Sequence, residues 1–373
     1  MSAAGAVADV TVPFFAAVLC IMPAVTRPTV PFGVRVPGER ADATVIRRER
    51  RAYFWRTAAI GAGCTVAAVL VPGHGSWWVA RLILLLELAA DLGCFLIARK
   101  KITAVKSAER WFAGHRQTVA TDTSWRTDPP RFPVRWVLPA VMVIAATVVI
   151  GAVRYPDLPA RVAVGFGGPG RHVPKSVLAE FAFVAGQLYV TALWTGLMLI
   201  VYRSRPDIEA GDAAASTRRY RRFLAAMTRA LLTLVALVDL SLLLAALENW
   251  QVYRLSGPGS ALPVLPFAVG LLVFFAVGLR AGQGGYRLSG DRVGRVAAGT
   301  DRDDDRFWKA GLIYVNRDDP AIMVGARFGV GWTFNVGNPM ARLVIAGIVA
   351  AIAGLAGILV AAGLLLVGSL IGG

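Results

Sequence analysis

The chain is poor in the residues from which most catalytic and metal sites are built. It has three histidines, His74, His115 and His172, and three cysteines, Cys20, Cys64 and Cys94, in 373 residues. The histidines stand far apart, and neither CxxC nor HExxH spacing occurs, so no zinc site is expected. The cysteines fall in apolar stretches and read as small packing residues, not as a disulfide framework. No Ser-His-Asp set and no paired loop carboxylates stand out, so no catalytic residue, metal or cofactor is assigned. Acidic residues are scarce too: 23 against 40 basic ones, for a net charge of +17. In a soluble protein that excess would suggest nucleic acid. Here it flanks apolar segments and suits an anionic lipid surface, so the bilayer and not nucleic acid is the expected partner.

What the sequence does have is apolar length. Hydrophobic residues make up 56% of the chain, and the mean hydropathy is +0.58. About eight apolar stretches, 4–25, 53–72, 76–98, 136–153, 178–202, 223–248, 260–279 and 343–370, are each long enough to cross a 30 Å hydrocarbon layer as helices. The expected fold is an all-α polytopic membrane protein. The first seven spans form a bundle over residues 1–279, and the eighth lies within 343–373. Thirty-two of the 40 basic residues fall in alternate connections, 26–52, 99–135, 203–222 and 280–342. Basic loops resist translocation, so these connections are placed inside, with both termini and loop 154–177 outside. The setting implied is the inner membrane of a bacterium. Within 99–135, Ile102 to Ala120 reads as a short interfacial helix. Segment 280–342 reads as a small cytoplasmic cap containing strands, because apolar runs near Leu312–Val315, Ile322–Val324 and Gly331–Phe334 alternate with turn signals.

Ionisable residues inside spans are costly and point to pairing or function. The third stretch carries Arg81, Glu87 and Asp91, and the sixth carries Arg229 and Asp239. Glu87 and Asp91 are four apart and share a helix face. Matching depths predicts the ion pairs Asp91–Arg229 and Arg81–Asp239, either as helix registers or as part of a polar path. Glu87 is left as the unmatched, protonatable carboxylate near the midplane. The glycine-rich loop from Gly165 to Ser176 is not a phosphate loop, because Pro174 stands where a glycine must precede the lysine. It reads as a tight turn or a recognition loop, with Arg171 and Lys175 offering positive charge. The cluster Asp301, Asp303, Asp304 and Asp305 lacks calcium-loop spacing and reads as a solvated loop or a helix cap. Small residues along the last stretch, among them Gly347, Gly354 and Gly357, suit close helix packing, within the chain or with a second copy.

Three blocks resemble a family of bacterial membrane proteins related to SdpI-type bacteriocin immunity proteins. The first is Pro31-Phe32-Gly33-Val34-Arg35-Val36-Pro37. The second runs from Tyr155 through Leu158 and Pro159 to Phe166 and Lys175; Ala163 and Gly165 replace the proline and histidine usual there, so no role of that histidine carries over. The third comprises Asp304 to Gly311 with Trp308, then Tyr314, Asn316, Asp319 and Pro320, then Arg327 to Asn335 with Phe328, Gly329, Gly331 and Trp332. The resemblance implies an immunity or envelope-stress role without a known reaction, through binding a hydrophobic peptide or lipid. The alternative is a transporter or permease subunit with Glu87 as its coupling carboxylate. The first and third blocks share glycine beside aromatic and arginine residues, and they are expected to pack together beneath the bundle as a gate or a partner platform.

Overall fold

A computed structural model describes residues 3–70, 77–114, 117–118, 124–164, 171–204, 206, 208, 213–253, 257–288, 300–301 and 303–361. Among the described residues, eight long helices follow the apolar stretches: α1 (Ala3–Val25), α2 (Thr44–Leu70), α3 (Trp77–Ala108), α4 (Leu138–Arg154), α5 (Ala182–Arg203), α6 (Ala213–Asn249), α7 (Leu265–Ala281) and α8 (Pro339–Ala361). Six of them, α2 and α4 to α8, are long and apolar enough to cross a membrane. In α1, Thr11–Val25 forms a shorter apolar helix. In α3 the apolar run is interrupted by Arg81, Glu87, Asp91 and Arg99.

Large apolar side chains face outward along the bundle. Leu85 is 63% exposed, Met142 71%, Leu272 64% and Leu343 64%. Such a surface is stable against hydrocarbon and aggregates in water.

Helices α1, α2 and α3 pack on one another, and α6 is the axis on which α4, α5 and α7 pack. At their basic ends α2 and α3 are joined by Lys101, whose Nζ lies 2.9 Å from the buried Glu49. The basic stretches are more helical than their charge suggests. Helix α2 begins nine residues before the predicted span, because Arg47, Arg48 and Arg51 lie exposed while Ile46 and Glu49 are buried. Helix α3 runs straight through Arg99-Lys100-Lys101 to Ala108. It thereby replaces most of the separate interfacial helix expected from Ile102, and the chain then turns through Arg110 and Gly114, both at positive φ. Trp111 is buried against Ile102 in a core with Phe32, Tyr53 and Phe95. The turn Pro72–Gly75 lies outside the described residues, as do the side chains of Trp77 and Trp78.

Strands are short and come in pairs: β1 (Gln117–Thr118) with β4 (Thr300–Asp301), β2 (Arg161–Val164) with β3 (Arg171–Pro174), β5 (Trp308–Lys309) with β6 (Ile313–Tyr314), and β7 (Met323–Gly325) with β8 (Trp332–Phe334). The last two pairs are antiparallel and are bridged between Tyr314 and Asn335, giving the β-containing cap read from the sequence. The cap does not stand alone. Trp332 donates its indole N–H to the Tyr220 hydroxyl (2.9 Å) on α6, and Gln283 accepts from the Arg27 amide (2.8 Å) just after α1.

Candidate functional site

Two carboxylates occupy the middle of the α1–α3 group. Glu87 and Asp91 are 0% and 2% exposed, one helical turn apart on α3. All four of their oxygens lack a hydrogen-bond partner. The wall facing them is built from small residues. A Cβ on Gly61 of α2 would lie 2.3 Å from the Ala16 Cβ of α1 and 3.4 Å from a Glu87 carboxylate oxygen, so glycine sets how closely these helices approach. The Thr57 hydroxyl lies beside Asp91, and Cys20, Cys64 and Cys94 lie around the pair. No group of three or more histidine, cysteine or acidic side chains among the described residues could hold a metal ion. The arrangement is a buried, largely apolar centre with four carboxylate oxygens that lack hydrogen-bond partners.

The predicted ion pairs do not form. Arg229 is exposed on α6, and both Asp91 oxygens lack a partner. Asp239 accepts from the Thr191 hydroxyl (2.7 Å) and not from Arg81, which lies on the exposed side of α3. Depth matching fails because α3 and α6 belong to different helix groups; shared depth is not shared contact.

The first and third sequence blocks do meet, at the basic ends of the helices. Phe32 has φ 48° and Gly33 φ 71°, which turns the chain sharply, and a Cβ on Gly33 would come within 2.5 Å of the Gly311 carbonyl oxygen. Phe328 packs on Phe95 (4.6 Å between ring centroids), Phe32 and Tyr53. Around this aromatic cluster lie Arg35, Lys106 and Arg327 with Asp303, Asp304 and Asp305, and Arg99 donates to the Phe32 carbonyl (3.3 Å). Arg35 Nε donates to Asp304 (3.0 Å), and its backbone N–H donates to Asp305 (3.0 Å). Lys106 Nζ reaches Asp305 (2.6 Å) and Asp303 (2.8 Å). Arg327, 3% exposed, donates to both Asp304 and Asp305, to the Gly33 carbonyl (3.0 Å), and lies over the Trp308 ring (4.8 Å). Asp303, Asp304 and Asp305 are thus an ionic clamp, not the solvated loop or helix cap expected; Asp304 precedes the short turn Asp305–Phe307 but makes no side-chain capping bond. Burial pushes the Asp305 carboxyl up, but Arg327 and Lys106 beside it outweigh burial and hold it below the usual carboxylate range.

Asn335 organises the rest of the cap. Its amide nitrogen donates to the carbonyls of Asn316 (2.8 Å), Asp319 (3.0 Å) and Ala321 (3.2 Å), and its oxygen accepts from the amides of Asn316 (3.0 Å) and Gly337 (3.1 Å). Asp319 accepts from the Tyr314 hydroxyl (3.0 Å), and burial together with that carboxylate pushes Tyr314 up to about 12. Asn338 accepts from the Met340 amide (2.8 Å) and so caps α8, while its own amide reaches the Pro320 carbonyl (2.9 Å). Gly329 turns at φ 77° against Met22, and Gly331 follows at φ 130°. Pro37 leads into the short turn Gly38–Arg40.

At the opposite end of the bundle, Lys175 gathers the second block. Its Nζ donates to the carbonyls of Leu158 (3.1 Å) and Pro156 (3.2 Å) and sits 4.6 Å from the Tyr155 ring centroid. Leu158 is buried against Phe183, Ala246 and Trp250, whereas Pro159 is exposed. Arg171 opens β3 opposite Val164. Phe166 lies outside the described residues.

Residues 317–342 match a family of unknown function, DUF5808. The match covers β7, β8, Asn335, Asn338 and the first turn of α8, the asparagine-centred part of the cap. No curated protein and no solved structure matches the chain.

Sequence reasoning did not single out Lys106, Gln283 or Asn338, whose partners lie far away in the chain or in irregular backbone, and it named Arg327 without its acidic partners. It also passed over Thr147, Gln187 and Thr191 around Asp239. The polar pair Gln187 and Thr191, four apart in an apolar run, was the available signal.

Proposed function

We propose that the chain is an eight-span protein of the bacterial inner membrane that works by binding and not by catalysis, in an SdpI-like immunity or envelope-stress role. The cap and the four basic connections face the cytoplasm, and both termini face outward. The bound species is a hydrophobic peptide or lipid carrying a cationic group. The observation behind this reading is the Glu87–Asp91 pair: two adjacent carboxylates shielded from water, each without a countercharge. Such groups are retained inside a membrane at a cost of several kcal/mol unless something neutralises them. The Lys175-centred block supports the immunity role, since the lysine ties the Pro156 and Leu158 carbonyls together within the stretch that carries the resemblance. The test is a deletion strain challenged with membrane-active cationic peptides. Wild-type protein should restore resistance, and Glu87→Gln/Asp91→Asn protein at equal abundance should not. Full rescue by the double variant would end this reading.

The same pair supports a second reading, a transporter or permease subunit with Glu87 as its coupling carboxylate. Proteoliposomes separate the two. Solute flux driven by a proton gradient and lost in Glu87→Gln would favour transport. Resistance without flux would favour binding.

A further inference from the structure

A second buried polar centre lies in the other helix group. Thr147 (α4), Gln187 (α5) and Asp239 (α6) are each 0% exposed, and Thr191 (α5) is 9% exposed. Their hydrogens can be counted. The Thr147 hydroxyl donates to the Val143 carbonyl (2.8 Å). The Gln187 amide donates to Thr147 Oγ1 (2.9 Å) and to the Asp239 carbonyl (2.8 Å). The Thr191 hydroxyl donates to Asp239 Oδ2 (2.7 Å). Every side-chain donor is committed, yet Asp239 Oδ1 and Gln187 Oε1 have no partner. The charged and titratable groups on the helices and helical turns packed against α6 are Arg135 in the turn Val134–Val137, Arg154 on α4, Tyr189, Tyr202 and Arg203 on α5, and Arg280 on α7. None of them hydrogen-bonds or ion-pairs with Asp239, and neither do Arg229 and Glu248 on α6 itself.

The centre therefore lacks one donor and one positive charge. A hard divalent cation would need six or more oxygens, and two are free. A proton meets both needs. On Asp239 Oδ1 it turns the orphan acceptor into a donor and cancels the charge, in a centre where Gln187 Oε1 is also an acceptor without a partner.

We propose that Asp239 is a proton-binding site, with Thr191 and Gln187 as its positioning residues. The step is an exchange: a proton from the aqueous phase adds to the carboxylate at Oδ1, and the same O–H bond breaks on release. The site is distinct from Glu87–Asp91 and does not depend on what that pair binds.

The test is infrared spectroscopy of the full chain in lipid nanodiscs at neutral pH. A carboxylic-acid C=O band is expected that disappears in Asp239→Asn and persists in Glu87→Gln. In Thr191→Val the band should remain but move to higher frequency, because the C=O loses the hydrogen bond it accepts at Oδ2. Thr191→Val keeps the proposal testable if Asp239→Asn does not fold. A spectrum unchanged in Asp239→Asn, a band lost in Glu87→Gln instead, or a band unmoved in Thr191→Val would overturn it.

Discussion

Replacing Arg327 with alanine should release the cap from the bundle. Arg327 is 3% exposed and donates to two carboxylates and to the Gly33 carbonyl, while its guanidinium lies over Trp308. Removing one partner of a fully buried charge pair costs roughly 3–5 kcal/mol, since the other charge is left uncompensated. The cost here falls at the low end. Asp304 and Asp305 retain 27% and 20% side-chain exposure, and Arg35 and Lys106 still neutralise them. About 3 kcal/mol corresponds to about a hundredfold change in the opening equilibrium. Hydrogen exchange of residues 304–337 should accelerate by about that factor, with α5 and α6 unaffected. Arg327→Lys keeps the charge but loses the two-armed contact, so its effect should lie between wild type and alanine. Unchanged exchange in Arg327→Ala would mean that Phe328 and its aromatic neighbours hold the cap and that the ionic clamp adds nothing.

Other predictions concern the same junction and its neighbours. Asn335→Ala leaves three carbonyls and two amides without their partner, and should cost about 2–4 kcal/mol in cap stability by the penalty for orphaned buried groups, read by exchange at 314–338. Gly33→Ala should separate the two blocks, because its Cβ would meet Gly311 in a left-handed turn; faster hydrogen exchange at 304–337 would report it. Acid should loosen the clamp. The Asp305 carboxyl is held below its unfolded value, so its contribution is complete above about pH 4 and is lost as pH falls through the lower folded value, which exchange measured stepwise below pH 4 would detect. Gly61→Val should force α1 off α2 and expose Cys20 and Cys64 to thiol reagents.

Helix positions were legible because apolar length and basic punctuation are local properties of a chain in lipid. The break between α3 and a separate interfacial helix was misread because Arg99-Lys100-Lys101 looks like an end. Arginines and lysines are good helix formers, and their charges reach water or Glu49 without interrupting the backbone. The meeting of the Phe32 and Phe328 blocks was readable from their shared glycine, aromatic and arginine content. The clamp was not, since Asp304 and Arg35 lie 269 residues apart and nothing local marks their contact. The predicted Asp91–Arg229 pair failed for the complementary reason: depth is written in one dimension, and the neighbour relations of α3 and α6 are not.

The account depends above all on sidedness, with the cap and the Lys175 block on opposite faces of a bilayer. Val177 is exposed beside that block, and Arg317 is exposed on the cap. In a chain whose native cysteines are replaced by alanine, Val177→Cys should react with a membrane-impermeant maleimide in intact cells, and Arg317→Cys should react only after lysis. Labelling of both in intact cells, or the reverse pattern, would contradict the account.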